Sequence, residues 1–224
     1  MDYIRLAVTP RHVETRGGSF LAIEQKYQEF WGKYGYELCL IPFRPDLDVE
    51  KYFQEMGIKG LLIAGGYRAY TEEIRLFEHR IIAETLKINL PVFGVCCGLW
   101  SINGYFGGKL RWNEKHSKRN VRFVVNYLLK KLQGKKHIPM HPVEIKGVLK
   151  LKEAMVNSFH RKVVDKLGEG LTPFITAPDG EIEGIHNLDK KIIALQFHLE
   201  HGNCSPELEK EYMGLVGKMV RKQI

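Results

Sequence analysis

The chain has 224 residues, 44% of them hydrophobic and 27% charged, with a formal net charge of +8. That length allows one large domain, and the composition is ordinary for a globular protein rather than a disordered one. No apolar run approaches the ~18 residues of a membrane span, and the four cysteines (Cys39, Cys96, Cys97 and Cys204) show no Cys-x-x-Cys pair. Neither a disulfide framework nor a zinc site is indicated.

The charge is unevenly placed. From Lys109 to Lys152 there are 13 Lys or Arg against two acids, Glu114 and Glu144, so this stretch carries +11 and the remainder −3. Such a run is either a solvated surface or a positive rim that attracts an anionic substrate. Nucleic acid is not favoured, because no RNA-binding signature or zinc-finger spacing accompanies it. The beginning, Met-Asp-Tyr-Ile-Arg-Leu-Ala-Val, runs into a strand-like segment without a signal-peptide pattern, so the expected location is the cytoplasm.

Short β-branched runs alternate with longer amphipathic ones. Ile4–Val8 reads as a strand, and Leu21–Tyr34 as a helix with Leu21, Ile23, Tyr27, Phe30 and Trp31 at helical spacing. Glu37–Ile41 is a second strand, and Asp48 caps a helix through Met56. Gly60–Ala64 is an apolar strand covered on both faces, Thr71–Lys87 a helix, Pro91–Val95 another buried strand, and Gly98 opens the next helix. The second half is mixed, with strands expected at Pro142–Ile145, Ala154–Val156, Phe174–Thr176, Glu181–Ile185 and Ile192–Phe197 and a closing helix at Pro206–Lys222. The alternation predicts an α/β fold, a mostly parallel central sheet with helices on both faces, in a single domain over residues 1–224.

The run Val92-Phe93-Gly94-Val95-Cys96-Cys97-Gly98-Leu99-Trp100 places a thiol where a buried strand turns into a helix. A nucleophile there stands above the sheet, near a helix N-terminus whose partial positive charge favours thiolate. Taken alone, a Cys in an apolar run is more often a core residue. About a hundred residues on, Ile192-Ile193-Ala194-Leu195-Gln196-Phe197-His198-Leu199-Glu200 is a buried strand ending in His-x-Glu. A thiol nucleophile needs a base, and the base needs an orienting group. On an extended strand residues two apart share a face, which would set His198 and Glu200 side by side.

These segments together resemble the class I glutamine amidotransferases, in particular the peptidase C26 branch. The elbow is similar to that family's Gly-Ile-Cys-x-Gly, and Gln196-Phe197-His198-Leu199-Glu200 to its Gln-Phe/Trp-His-Pro-Glu. Val156-Asn157-Ser158-Phe159-His160, Ala177-Pro178-Asp179-Gly180-Glu181-Ile182-Glu183, Val8-Thr9-Pro10-Arg11 and Phe106-Gly107-Gly108 also fit, in the family's order. The resemblance implies a flavodoxin-like fold and hydrolysis of a γ-glutamyl amide. Cys96 would be the nucleophile, His198 the base and Glu200 its carboxylate. Ile63-Ala64-Gly65-Gly66-Tyr67 would be the oxyanion loop, with Gly66 and Cys97 N–H groups as donors, although a Gly-Gly pair by itself is a plain turn. Gly65, Trp100, Asn157, Ser158, Phe159 and His160 would line the substrate.

Four positions depart from the pattern: Trp100 stands where the family usually has Gln, Cys97 where Arg is common, Leu199 for Pro, and Arg161-Lys162 for His-Gln. No cofactor is expected, and no metal. His137 and His141 flank Pro139, which forbids a helix aligning them, and His198 with His201 lacks a completing ligand pattern. The partner expected is a small γ-glutamyl substrate, with an anionic leaving group suggested by the basic run and by Arg161-Lys162. A homodimer, an ammonia-accepting synthetase bound in trans, and a catalytically inactive regulatory homologue remain alternatives.

Overall fold

The computed structural model describes residues 3–66, 71–113 and 139–222. In chain order its elements are β1 (Ile4–Val8), β2 (Arg11–Thr15), β3 (Gly18–Ala22), α1 (Gln25–Lys33), β4 (Tyr36–Leu40), α2 (Val49–Met56), β5 (Ile58–Ile63), α3 (Glu72–Lys87), β6 (Val92–Val95), α4 (Cys97–Tyr105) and β7 (Lys109–Trp112). After the basic run come β8 (Met140–Ile145), β9 (Glu153–Asn157), β10 (Lys162–Lys166), β11 (Thr172–Thr176), β12 (Ile182–Asn187), β13 (Ile192–Leu195), a 3-10 turn (Leu199–His201) and α5 (Pro206–Val220).

Nine strands form one sheet in the order β4-β1-β5-β6-β13-β12-β11-β8-β9. The first five pair in parallel and the rest antiparallel. The parallel centre is apolar on both faces: every residue of β6 and β13 is buried. Each large aliphatic side chain there contributes about 1.5–3 kcal/mol relative to exposure. This is the covered parallel sheet expected from the uninterrupted apolar runs. The strands of the antiparallel wing instead alternate or expose one end, as in Met140–Ile145.

Local signals mostly hold. Asp48 accepts from Lys51 N at 3.0 Å and Thr71 from Ile74 N at 3.3 Å, capping α2 and α3 as side-chain acceptors do. Pro206 occupies the first turn of α5.

Two readings need correction. Leu21 does not open a helix: it lies in β3, paired with His12 of β2 in a two-stranded hairpin, and is exposed, while α1 begins at Gln25. Five apolar residues at helical spacing concealed a strand end joined to a helix start. His198 and Glu200 do not share a strand face either, because β13 ends at Leu195 and Glu200 sits in the 3-10 turn. The second small sheet, β7 with β10, has no counterpart among the strands expected from the sequence.

Candidate active site

The parallel pairing of β6 with β13 aligns Val95 with Leu195. Both strands therefore end together, and the chains leaving them carry Cys96 and, three residues past Leu195, His198. Cys96 N donates to Leu195 O at 2.7 Å, fixing the junction. Cys96 adopts φ 52°, ψ −104°, outside the regions favoured by L-residues. Such a backbone costs about 1–3 kcal/mol and persists only where the surroundings impose it. Here they do: a Cβ on Gly98 would lie 2.1 Å from Ile63 O, so only glycine lets α4 start this close to β5.

Gly65 is the second close approach. A Cβ there would meet His198 Cε1 at 2.7 Å, the Tyr27 hydroxyl at 2.8 Å and Cys96 Cβ at 3.3 Å. The imidazole and the Cys96 side chain thus meet over the same glycine. His198 Nδ1 is 2.5 Å from Glu200 Oε1, with Glu200 buried. The 3-10 turn, rather than strand alternation, curls the carboxylate back onto the ring. Burial pushes the Glu200 carboxyl up, but the His198 charge and hydrogen bonds from His198, the backbone and Tyr27 outweigh it and hold the pKa below the ordinary value.

Asn157 fixes His198 from behind. Its Nδ2 donates to His198 O at 2.6 Å, its Oδ1 accepts from His198 N at 2.9 Å, and Nδ2 also reaches Asn203 Oδ1 at 2.7 Å. Phe159 meets the His198 ring edge-on at 5.5 Å. Around these groups lies a cleft of about 770 Å³ lined by Arg11, Tyr27, Gly65, Cys96, Phe159 and His198 among others.

The two thiols are unequal. Hydrogen bonding to Cys97, then burial, then the negative charge of Cys97 and Glu200 push Cys96 well above the usual thiol range. Cys97 is pulled down by that same hydrogen bond from Cys96 against burial, helped by Arg11 and the Gly66 N–H. A thiol pushed up in this way would need a base to act as a nucleophile.

A model of the Peptidase C26 family matches residues 9–200. The chain belongs to the Peptidase C26 family. It is 36% identical over 144 residues to the glutamine amidotransferase-like protein YvdE of Lactococcus lactis, covering 62% of this chain and 57% of that one. It spans about half the length of several curated relatives it matches. With the gamma-glutamyl-CDP-amidate hydrolase of Campylobacter jejuni it shares 24% identity over 79% of each chain. The solved structure of a Thermoplasma acidophilum protein described as a GMP synthase subunit superposes with a TM-score of 0.68 at 15% identity, over 99% of this chain and 98% of that one. That likeness shows a shared fold.

Not every residue read as substrate-lining in this C26 chain faces the cleft. Gly65 and Phe159 do. Trp100 is buried, donates from Nε1 to Gln196 Oε1 at 2.7 Å, and lines a separate hollow with Thr71, Arg75 and Lys162. Lys162 accordingly does not charge the Cys96 cleft. Asn157 and Ser158 are buried, and His160 turns its Nε2 to Glu183 Oε1 at 3.4 Å. Burial lowers the His160 pKa, but the Glu183 charge and hydrogen bonds raise it above 6.5 on balance.

The sequence pattern assigns no role to Tyr27 beyond helix packing, and none to Arg11 beyond the motif that holds it. The available signal for Arg11 was its place just after a buried strand, at the sheet edge where α/β folds bind ligands. Tyr67, Lys115, Lys118, Arg119 and His137 lie outside the described residues.

Among the described residues, His198, Glu200 and His201 could hold a metal ion, with ligand atoms within 4.8 Å of one another. A metal there would occupy the pair that a thiol nucleophile needs as its base. No helix among the described residues is long and apolar enough to cross a membrane.

Proposed function

We propose that this C26 chain is a cysteine-dependent hydrolase of γ-glutamyl amides, with Cys96 as nucleophile, His198 as base and Glu200 as orienting carboxylate. The observation that carries the reading is the convergence over Gly65: a strained Cys96 backbone, with His198 beside it and Glu200 2.5 Å from that ring. Cys96 Sγ attacks the γ-carbonyl as His198 takes its proton, and the imidazolium returns that proton to the departing amine. Water then attacks the resulting thioester with His198 again as base, releasing glutamate and freeing the thiol. The Gly66 N–H, which bonds the Cys97 sulfur, and the Cys97 N–H, which bonds the Cys96 sulfur, are the donors for the tetrahedral oxyanion, each worth about 3 kcal/mol in comparable sites.

The Campylobacter relative's name points to a leaving group bearing phosphate. Among the described residues Arg11 is the Lys or Arg side chain lining the cleft.

The test is incubation with glutamine and a panel of γ-glutamyl amides, neutral and phosphate-bearing, followed by labelling with a diazo-ketone analogue of glutamine. Turnover with a single adduct on Cys96 is expected. Labelling of Cys97, with Cys96→Ala still active, would overturn the assignment. Glutamine turnover that rises only when a synthetase is added would mark an ammonia-supplying protein instead.

A further inference from the structure

Two successive peptides in Ala64-Gly65-Gly66 are held by Arg11, and the first of them also by Tyr27 from the opposite side; the Tyr27 hydroxyl hydrogen-bonds the Glu200 carboxylate as well. On one side Arg11 donates from Nε to Gly65 O at 3.0 Å and from Nη2 to Ala64 O. On the other, Gly65 N–H donates to the Tyr27 hydroxyl at 2.7 Å. In a trans peptide the C=O and N–H of one plane point in opposite directions. Drawing Ala64 O toward Arg11 therefore turns Gly65 N–H toward Tyr27. Drawing Gly65 O toward Arg11 turns Gly66 N–H away from it, toward the Cys97 sulfur. Gly66 has φ +141°, and a Cβ there would fall 2.9 Å from Arg11 Cγ and Cδ, so the arginine stem occupies the space a side chain would need.

Arg11 is itself locked in place. Its Nη1 pairs with Glu78 Oε1 at 2.5 Å, and Thr9 Oγ1 donates to the same oxygen at 2.9 Å. Both ionic side chains are buried, and the guanidinium's remaining N–H groups need hydrogen-bond acceptors there. The two loop carbonyls are those acceptors. With Nε, Nη1 and Nη2 all engaged by the protein, Arg11 is built to hold backbone rather than a substrate carboxylate.

We infer that Arg11 and Tyr27 are positioning residues: together they clamp the Ala64–Gly65 peptide from both sides, and Arg11 holds the next peptide through Gly65 O, so that the Gly66 N–H stays presented to the carbonyl attacked by Cys96. The inference rests on the hydrolytic reading above. Oxyanion donors accelerate a reaction because they are oriented before charge develops, so a loop free to turn this peptide over would lose that advantage.

The test separates orientation of the donor from reactivity of the thiol. Tyr27→Phe keeps the ring and removes the hydroxyl, which bonds both the Gly65 N–H and Glu200, so a loss acting through Glu200 and His198 would appear in alkylation as well as in turnover. For wild type and variant, kcat and KM are measured with γ-glutamyl-p-nitroanilide, and the alkylation rate of Cys96 with iodoacetamide, a reaction that uses no oxyanion donor. The expected result is a kcat about 10- to 100-fold lower, short of the ~10²–10³ for outright loss of a donor, with KM and alkylation within about threefold. Arg11→Lys, which keeps a cation for Glu78 but cannot fork onto both carbonyls, should give the same split at a melting temperature showing a folded protein. Unchanged kcat in Tyr27→Phe overturns the clamp, and so does a fall in turnover matched by an equal fall in alkylation. A wild-type protein that reacts with iodoacetamide but cleaves no γ-glutamyl amide fails the hydrolase reading instead.

Discussion

The two wings of the sheet do different work. The parallel wing, β4-β1-β5-β6-β13, ends along one edge, and from that edge come Arg11, the Ala64–Gly66 loop, Cys96 and His198. The antiparallel wing, β12-β11-β8-β9, adds Asn157 and the buried His160–Glu183 pair. Parallel strands covered on both faces leave their carboxyl ends as a rigid rim, suited to groups whose mutual placement has little tolerance. The antiparallel wing meets that rim from the side and holds His198 in position through Asn157. Cys96 and His198 on one side, and the Asn157 that holds His198 on the other, are thus drawn from differently built halves of one sheet.

Breaking the parallel rim should have the largest effect. Cys96→Ala and His198→Ala should each reduce kcat by about 10⁴-fold or more, and the double variant should be little worse than either, because the two act as a unit. Steady-state kinetics on the three proteins checks this, and near wild-type turnover by His198→Ala would remove the base from the mechanism.

The supporting wing should matter less, and through geometry. Asn157→Ala removes both bonds that hold the His198 backbone. A displacement of that kind costs up to about 10²-fold in rate. The expected pattern is a kcat about 10- to 100-fold lower with KM little changed. An effect on KM alone would place Asn157 against substrate rather than behind the base.

A third measurement asks whether the deeper pair of that wing bears on stability alone. Glu183 lies against His160 and raises its pKa above 6.5 on balance. A histidine raised on folding contributes stability that is fully present below its unfolded pKa and is lost as pH rises through the folded value. The gap in stability between wild type and Glu183→Gln should therefore be widest below pH 6.5, about 1.5–3 kcal/mol, and shrink as pH climbs past the raised His160 value. Thermal melts across pH give the comparison. A gap that widens with pH would reverse the assigned charge state.

The smallest effect is expected at Trp100. Phenylalanine there removes the bond to Gln196 and some packing, about 1–2 kcal/mol of stability. Because the indole lies away from the Cys96 cleft, kcat/KM should stay within about twofold of wild type. A tenfold loss would bring Trp100 back to the substrate.

Much of the fold could be read from the sequence because its signals are local. Uninterrupted apolar runs marked β5, β6 and β13 as covered strands, Asp48 and Thr71 announced helix starts, and glycines around Cys96 marked the turn. The hairpin of β2 and β3 was not legible, because Leu21 belongs to a helical spacing and to a strand pattern alike, and only pairing with His12 decides between them.

By itself the sequence singled out Cys96, His198 and Glu200 as candidates and indicated that Cys96 and His198 each follow a buried strand. Tertiary structure decided that these two strands are parallel neighbours, that Glu200 reaches its histidine through a 3-10 turn, and that Trp100 faces a different hollow. It also decided that Arg11, Tyr27 and Ala64–Gly66, far apart in the chain, form one hydrogen-bonded unit. The reason is geometric: residue type and spacing fix what a segment can become, but the direction of a side chain or a peptide plane is set by the partner it packs against, and that partner is supplied by a distant part of the chain.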